Sequence, residues 1–202
     1  MTRLLLARHG ETDWNREGRW QGHLGPGLNA RGREQAAALA RRLSGEVLDL
    51  LYTSDLDRAV ETAATIAARS RLEVVVDPEL REVDVGDWSG MTRAQIAERD
   101  PAGYQRWLAG ESGWSGGETY RQMHRRAVAA LERIAEAQAG RTVVVVSHGG
   151  PIRAMVAHVV GLPPGERRRV GPGQNCALSV VERLGNGFVL ASFNDHGHLA
   201  SP

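Results

Sequence analysis

The stretch Leu4-Leu5-Leu6-Ala7-Arg8-His9-Gly10-Glu11-Thr12 narrows what this chain can become. Its apolar run reads as a buried strand that stops at an arginine and a histidine. A glycine then lets the backbone turn. A potential nucleophile and a fixed cation therefore stand side by side at the carboxyl end of a strand. In open α/β sheets that is where ligands bind. Taken alone, Arg8-His9-Gly10 also fits a strand-end histidine hydrogen-bonded to a loop, so the rest of the chain has to decide between the two.

The run Thr142-Val143-Val144-Val145-Val146 is the clearest second strand, and it too ends at a histidine, in Ser147-His148-Gly149-Gly150-Pro151. Pro151 fits the first turn of a following helix, where no amide donor is needed. Between these two runs strands and helices alternate. Asn29 can cap a helix reaching about Leu43, and Val47 to Thr53 reads as a strand. Ser54 is the expected cap of a helix running to about Arg69, with Ala59, Thr62, Ala63, Ile66 and Ala67 on its inner face. Glu73 to Asp77 forms a third strand closed by Pro78. Short helices are expected over 92–98 and 102–108. A long one from about Glu118 to Gln138 places Tyr120, Met123, Ala127, Leu131 and Ile134 in the core. Two last strands, 177–183 and 188–194, flank a turn at Gly185-Asn186-Gly187. This alternation, with no linker or internal repeat, predicts one α/β domain over residues 1–202.

Bulk properties exclude several classes. The net charge is +1, which gives no argument for nucleic acid or an anionic membrane as partner. All 25 basic residues are arginine, so lysine Schiff-base chemistry and a lysine-ended phosphate loop are ruled out. The single cysteine, Cys176, precludes an intrachain disulfide and fits a reducing cytosol. It lies in an apolar run and reads as packing. No signal peptide is visible, and no segment approaches the ~20 apolar residues needed to span a bilayer. The expected location is the cytoplasm.

Four strand-end places carry unusual polar groups: Arg8-His9, Arg58 just after Ser54, Glu82, and His148 beside Gly149-Gly150. Parallel strands would gather them at one sheet edge. Two histidines, two arginines, a carboxylate and a helix amino terminus suit phosphoryl transfer through a histidine. A neutral imidazole is a competent nucleophile near neutral pH if its other nitrogen holds the proton. A phosphate dianion repels nucleophiles, so arginines must neutralise it, and Arg8 and Arg58 could do so bidentately. The amides at Gly149-Gly150 add the positive end of a helix dipole. A leaving alkoxide needs a proton, and Glu82 is the candidate donor.

Leu6-Ala7-Arg8-His9-Gly10-Glu11-Thr12, Ser54-Asp55-Leu56-Asp57-Arg58-Ala59 with Thr62-Ala63, Leu80-Arg81-Glu82 with Gly86-Asp87-Trp88-Ser89-Gly90, and Ser147-His148-Gly149-Gly150 closely resemble the signatures of the histidine phosphatase superfamily, also called the phosphoglycerate mutase-like family. They occur in the family's order and cover nearly the whole chain. The resemblance implies a three-layer α/β sandwich, a mostly parallel mixed sheet with helices on both faces. It implies a phosphohistidine intermediate without metal or other cofactor. It maps the nucleophile to His9, the phosphate-pocket arginines to Arg8 and Arg58, the second histidine to His148 and the proton donor to Glu82. It also suggests that Asn15, Gln21 and the Gly149 amide touch the phosphate; as bare residues, Asn15 and Gln21 could equally be turn formers.

The family holds mutases and phosphatases. The span from Glu82 to His148 is short and lacks the Arg-Tyr-rich stretch that mutases use to hold a phosphoglycerate carboxylate, so a phosphomonoester hydrolase is expected. A cofactor-dependent phosphoglycerate mutase and an inactive phospholigand-binding module are the alternatives. Trp14, Trp20, Trp88, Met91, Tyr104, Trp107 and Trp114 are candidates for the wall over the leaving group, two or three of them lining it. Such a mouth would favour sugar, nucleoside-like or aryl phosphates over small acids. Arg167 to Arg169 read as a solvated charge run, with anion steering as the other possibility. Asp195-His196-Gly197-His198 reads as a polar chain end rather than a metal cluster. The expected partner is a small phosphate monoester; a homodimer is left open.

Overall fold

The computed structural model describes residues 1–185 and 187–200. Six strands form one sheet: β1 (Thr2–Arg8), β2 (Leu50–Thr53), β3 (Val74–Val76), β4 (Thr142–Ser147), β5 (Leu178–Leu184) and β6 (Gly187–Asp195), in the order β3-β2-β4-β1-β5-β6. The first four run parallel, with Leu4 opposite Val143 and Tyr52 opposite Val145. β5 and β6 are antiparallel additions beside β1. The expected turn between them includes Asn186, which lies outside the described residues.

The helices are α1 (Asp13–Arg16), α2 (Ala30–Leu43), α3 (Asp57–Ser70), α4 (Arg93–Arg99), α5 (Pro101–Leu108), α6 (Tyr120–Ala137) and α7 (Gly149–Val159). Side chains alternate across a strand, so β1 and β4 feed two cores. Leu5, Ala7, Val144 and Val146 meet Ala36, Leu39, Ala59, Ala63 and Ile66 of α2 and α3. Leu4, Leu6, Val143 and Val145 meet Met123, Ala127, Leu131, Ala154 and Met155 of α6 and α7. Both strands are covered on both faces, which is why their sequences run apolar without alternation. Each fully buried leucine contributes about 1.5–3 kcal/mol.

Local chemistry fixes the helix starts. The Asn29 side chain accepts from the Gly32 N–H at 2.8 Å, as expected of a cap. Thr119 and Gln122 form a capping box that opens α6. Ser54 is not a cap: α3 starts later, after Leu56, and the Ser54 hydroxyl turns inward. Gly10 and Gly32 press the His9 turn against the first turn of α2. A methyl group on Gly10 would lie 2.5 Å from the Gly32 carbonyl oxygen, so neither position has room for a side chain.

Because β1, β2, β3 and β4 are parallel, their carboxyl ends lie along one edge. The start of β5, entering antiparallel, reaches the same edge. His9, Ser54 and His148 each follow one of these strand ends, and Glu82 follows β3 after a short 3-10 turn at Pro78–Leu80.

Candidate active site

His9 sits at the floor of a cleft of about 680 Å³ and is 2% exposed. Its Nδ1 lies 2.7 Å from the carbonyl oxygen of Gly10. A carbonyl can only accept, so Nδ1 carries the proton and Nε2 keeps its lone pair. Burial first, then the charges of Arg58 and Arg8, hold the His9 pKa well below its ordinary value of 6.5; the Gly10 bond opposes them. The ring is therefore neutral near pH 7. The His9 peptide is fixed from the β5 side, where Asn175 Nδ2 donates to the His9 carbonyl at 2.9 Å.

The His148 ring stands 5.1 Å from that of His9, centroid to centroid. It is fully buried, and burial followed by Arg58 and His9 holds its pKa well below 6.5. Its Nε2 lies 2.9 Å from Ser54 Oγ, and its Nδ1 is buried without a partner. The same Ser54 oxygen accepts the Leu56 N–H at 3.3 Å.

Two arginines flank the histidines. Arg8 Nη1 donates to the Gly173 carbonyl at 2.6 Å. Arg58 Nη2 and Nη1 donate to the carbonyls of Gly22 and Leu24 at 2.7 and 3.0 Å, tying down the loop that carries Gln21. The Nε atoms of both are buried and unpartnered. Desolvation lowers both pKa values, that of Arg58 to about 10, and leaves both groups charged at neutral pH.

The Glu82 carboxyl group bridges two amides, accepting from Val83 N–H at 2.9 Å and from Gly150 N–H at 3.1 Å. The second bond seats it at the amino terminus of α7. A methyl group on Gly149 would lie 3.6 Å from Arg8 Nε and 3.9 Å from Glu82 Oε2. Gly149, the Arg8 head and the Glu82 side chain thus lie close together. Two neighbours hold the acid's own backbone: His23 Nε2 donates to the Glu82 carbonyl at 2.9 Å, and Arg126 of α6 donates to the carbonyls of Glu79, Arg81 and Glu82. Asn15 and Gln21 line the cleft with their carbonyl oxygens engaged, by the Thr12 N–H at 3.1 Å and the Thr12 hydroxyl at 3.1 Å. Their amide NH₂ groups make no hydrogen bond among the described residues. All eight residues expected from the sequence lie in or beside this cleft.

The geometry offers an anion several unpaired donors beside a neutral imidazole lone pair. The family model described as the histidine phosphatase superfamily (branch 1) matches residues 4–196. The chain belongs to the histidine phosphatase superfamily. Phosphoserine phosphatase 1 of Hydrogenobacter thermophilus is 37% identical over 98% of this chain and 95% of its own length. The metal-independent phosphoserine phosphatase of Arabidopsis thaliana is 35% identical over 100% of this chain and 84% of its own length. The solved structure of an H9A mutant of Entamoeba histolytica phosphoserine phosphatase with phosphoserine superposes with a TM-score of 0.87, at 29% identity, over 99% of this chain and 100% of that one. This chain is a histidine phosphatase-type phosphomonoesterase, with the mixed α/β fold of its relatives.

Of three expectations about the walls of this histidine phosphatase, the structure meets the first, two of seven candidates lining the cleft, and corrects the other two. Of the seven aromatic and methionine candidates only Trp20 and Trp107 line the cleft; Trp88 and Trp114 are buried behind Trp20, edge to face or tilted. Tyr120, expected in the core, is half-buried: it packs against the core cluster and also lines the cleft. Arg167 is not solvated: it is 5% exposed, with its guanidinium carbon 3.3 Å from the centre of the Tyr120 ring. Sequence reasoning also missed Asn175, Arg126 and Arg153. Arg153 had a readable signal, since it lies four residues after Gly149 on the same helix face. Asn175 and Arg126 act on backbone carbonyls distant in sequence and left none. Among the described residues no group of His, Cys, Asp and Glu is arranged to hold a metal ion. Burial pushes the Cys176 thiol up to about 12, which makes it unreactive.

The buried neutral histidines make stability pH-dependent. Below their ordinary value of 6.5 the unfolded chain takes up protons that His9 and His148 refuse in the fold. Stability is thus full above that value and is lost as pH falls toward the depressed folded values. Burial shifts His124 and His198 in the same direction. Melting temperature should fall between about pH 7.5 and about pH 5.5. An unchanged value would show that these rings are not held neutral.

Proposed function

We propose that this protein hydrolyses small phosphomonoesters through a phosphohistidine formed on His9, with Glu82 as proton donor and no metal. His9 Nε2 bonds to phosphorus as the ester P–O bond breaks, and the leaving alkoxide takes the proton of the Glu82 carboxyl group. The Gly10 carbonyl then stabilises the positive charge that develops on the ring through Nδ1–H. In the second half Glu82, now a carboxylate, takes a proton from water; the water oxygen attacks phosphorus and the N–P bond breaks. Phosphate leaves, and His9 and Glu82 return to their starting forms.

Arg8 and Arg58 carry the charge of the equatorial oxygens. Each unit charge pair at about 4 Å is worth ~4 kcal/mol at an effective dielectric of 20. The Gly149 N–H, the NH₂ groups of Asn15 and Gln21 and the unpartnered His148 Nδ1 complete the cradle, with Ser54 donating to His148 Nε2 so that Nδ1 holds the ring proton. The observation that carries the reading is the fixed His9 tautomer: Nδ1–H bonded to Gly10 at 2.7 Å and Nε2 left with its lone pair beside unpaired buried donors. The phosphoserine phosphatases among its relatives, one of them called metal-independent, support it.

The test is phosphate release from a panel of monoesters in excess chelator, paired with an alkaline quench that preserves phosphohistidine. Turnover in chelator with label trapped on His9 is the expected result. Turnover that stops in chelator and returns with added metal would overturn the reading.

A further inference from the structure

The whole chain carries a net charge of only +1, yet seven arginines and a single carboxylate, Glu82, line the cleft. Arg8 and Arg58 suffice for one phosphate dianion. Arg19 has its own partner in Glu17 at 2.6 Å. The charges of the far wall have none. Arg153 Nε donates to the Val170 carbonyl at 2.5 Å and its Nη2 to the Arg168 carbonyl at 3.4 Å. Arg167 Nη1 donates to the Gly110 carbonyl at 3.3 Å, and the face of its guanidinium rests on Tyr120. Carbonyls and a ring orient these cations without neutralising them. Among the described residues neither has a carboxylate within salt-bridge distance; burial first, then the charges of Arg167 and Arg168, lowers the Arg153 pKa, and burial, then Arg168, lowers that of Arg167.

Their position is also set. Gly149, which lines the cleft beside Arg8 and Glu82, and Arg153 are four residues apart on α7, so Arg153 lies on the same helix face about 6 Å along the axis. Arg167 stands beside it on the 3-10 segment Pro164–Arg169. Arg153 Nη1 makes no hydrogen bond among the described residues. Trp20, Trp107, Met123, Val83 and Val85 are among the apolar residues of the lining.

We propose that Arg153 and Arg167 form a second anion-binding subsite, so that the preferred substrates are phosphomonoesters bearing a further anionic group a few bonds from the ester oxygen. This rests on the phosphomonoesterase reading of the cleft. It runs against the sugar, nucleoside-like or aryl phosphates that the aromatic residues suggest from sequence. Those rings mostly pack on one another, and the charged side chains that reach the cleft are all cationic except Glu82. A carboxylate and a second phosphate present the same oxygen chemistry to a guanidinium, and substrate pairs separate them.

The experiment compares kcat/KM for 3-phosphoglycerate against glycerol 3-phosphate, and for glucose 1,6-bisphosphate against glucose 1-phosphate. Both pairs are run on the native chain and on Arg153→Gln, Arg167→Gln and the double variant. The ratio within a pair does not depend on the fraction of active protein, so partial misfolding of a variant cancels. The native chain should favour the doubly anionic member of one pair by about 10- to 100-fold, the worth of one or two charged hydrogen bonds. The double variant should lose that preference. A preference in the first pair names a carboxylate, and in the second a phosphate; either supports the subsite. Equal rates within both pairs, or a preference that survives the double variant, would overturn it. If nothing is hydrolysed, the phosphohistidine reading fails instead, and calorimetric binding of the same pairs decides the subsite by the same ratios.

Discussion

Replacing His9 by alanine should abolish phosphate release, with a loss of at least about 10⁴-fold in kcat, the scale on which removing a covalent nucleophile acts. The side chain is 2% exposed and its one hydrogen bond is to its neighbour's carbonyl, so the substitution removes the lone pair and unpairs only the Gly10 carbonyl. Arg8, Arg58 and the Gly149 amide stay, and the variant should still bind phosphomonoesters. The discriminating result is therefore retained binding with no turnover and no trapped phosphoenzyme. Initial rates of phosphate release, with a melting curve to establish folding, measure it. A variant that is folded and keeps more than about a hundredth of native activity would remove His9 from the bond-making step.

Glu82→Gln should slow alkyl phosphates by about 10²–10⁴-fold, the usual worth of general acid–base help. It should slow p-nitrophenyl phosphate far less, because nitrophenolate leaves without a proton. The amide side chain matches the shape of the carboxyl group and can keep one of the two bonds to Val83 and Gly150. A large positional disturbance would penalise both ester classes alike. The measurement is the ratio of alkyl to aryl kcat/KM in native and variant protein. Equal losses on both would mean that Glu82 positions α7 or the substrate rather than supplying the proton.

The parts of this molecule that were legible in the sequence are those whose signal is local. β1 and β4 stand out because burial on both faces forces unbroken apolar runs. The turns after them stand out because Arg8-His9-Gly10 and His148-Gly149-Gly150 place polar and small residues where such runs stop. Parallel pairing then brings these distant junctions to one edge, as expected for alternating strands and helices. What could not be read depends on how elements distant in sequence pack against one another. Helical spacing puts Tyr120 on the inner face of α6, but only the packed structure reveals that this side of the first turn also faces the cleft. Arg167-Arg168-Arg169 looks solvated because consecutive charges usually are; the 3-10 geometry turns one of them under its neighbours. Ser54 has the right type and place for a cap, and the competing bond to His148 lies 94 residues away.

The cleft has two sources, and they are built differently. The groups around His9 are set by strand ends and the turns welded to them, where a shift of one residue would disturb the core. Thr92, Arg93, Trp107, Tyr120, Arg167 and Arg168 come from α4, α5, the tip of α6 and the 3-10 segment, all outside the sheet. The two halves can therefore change at different tempos. A lineage can exchange the outer wall, residue by residue, and try new leaving groups while the phosphate end stays as it is. The same division makes residues 92–120 and 164–169 the place to graft a different preference onto this scaffold.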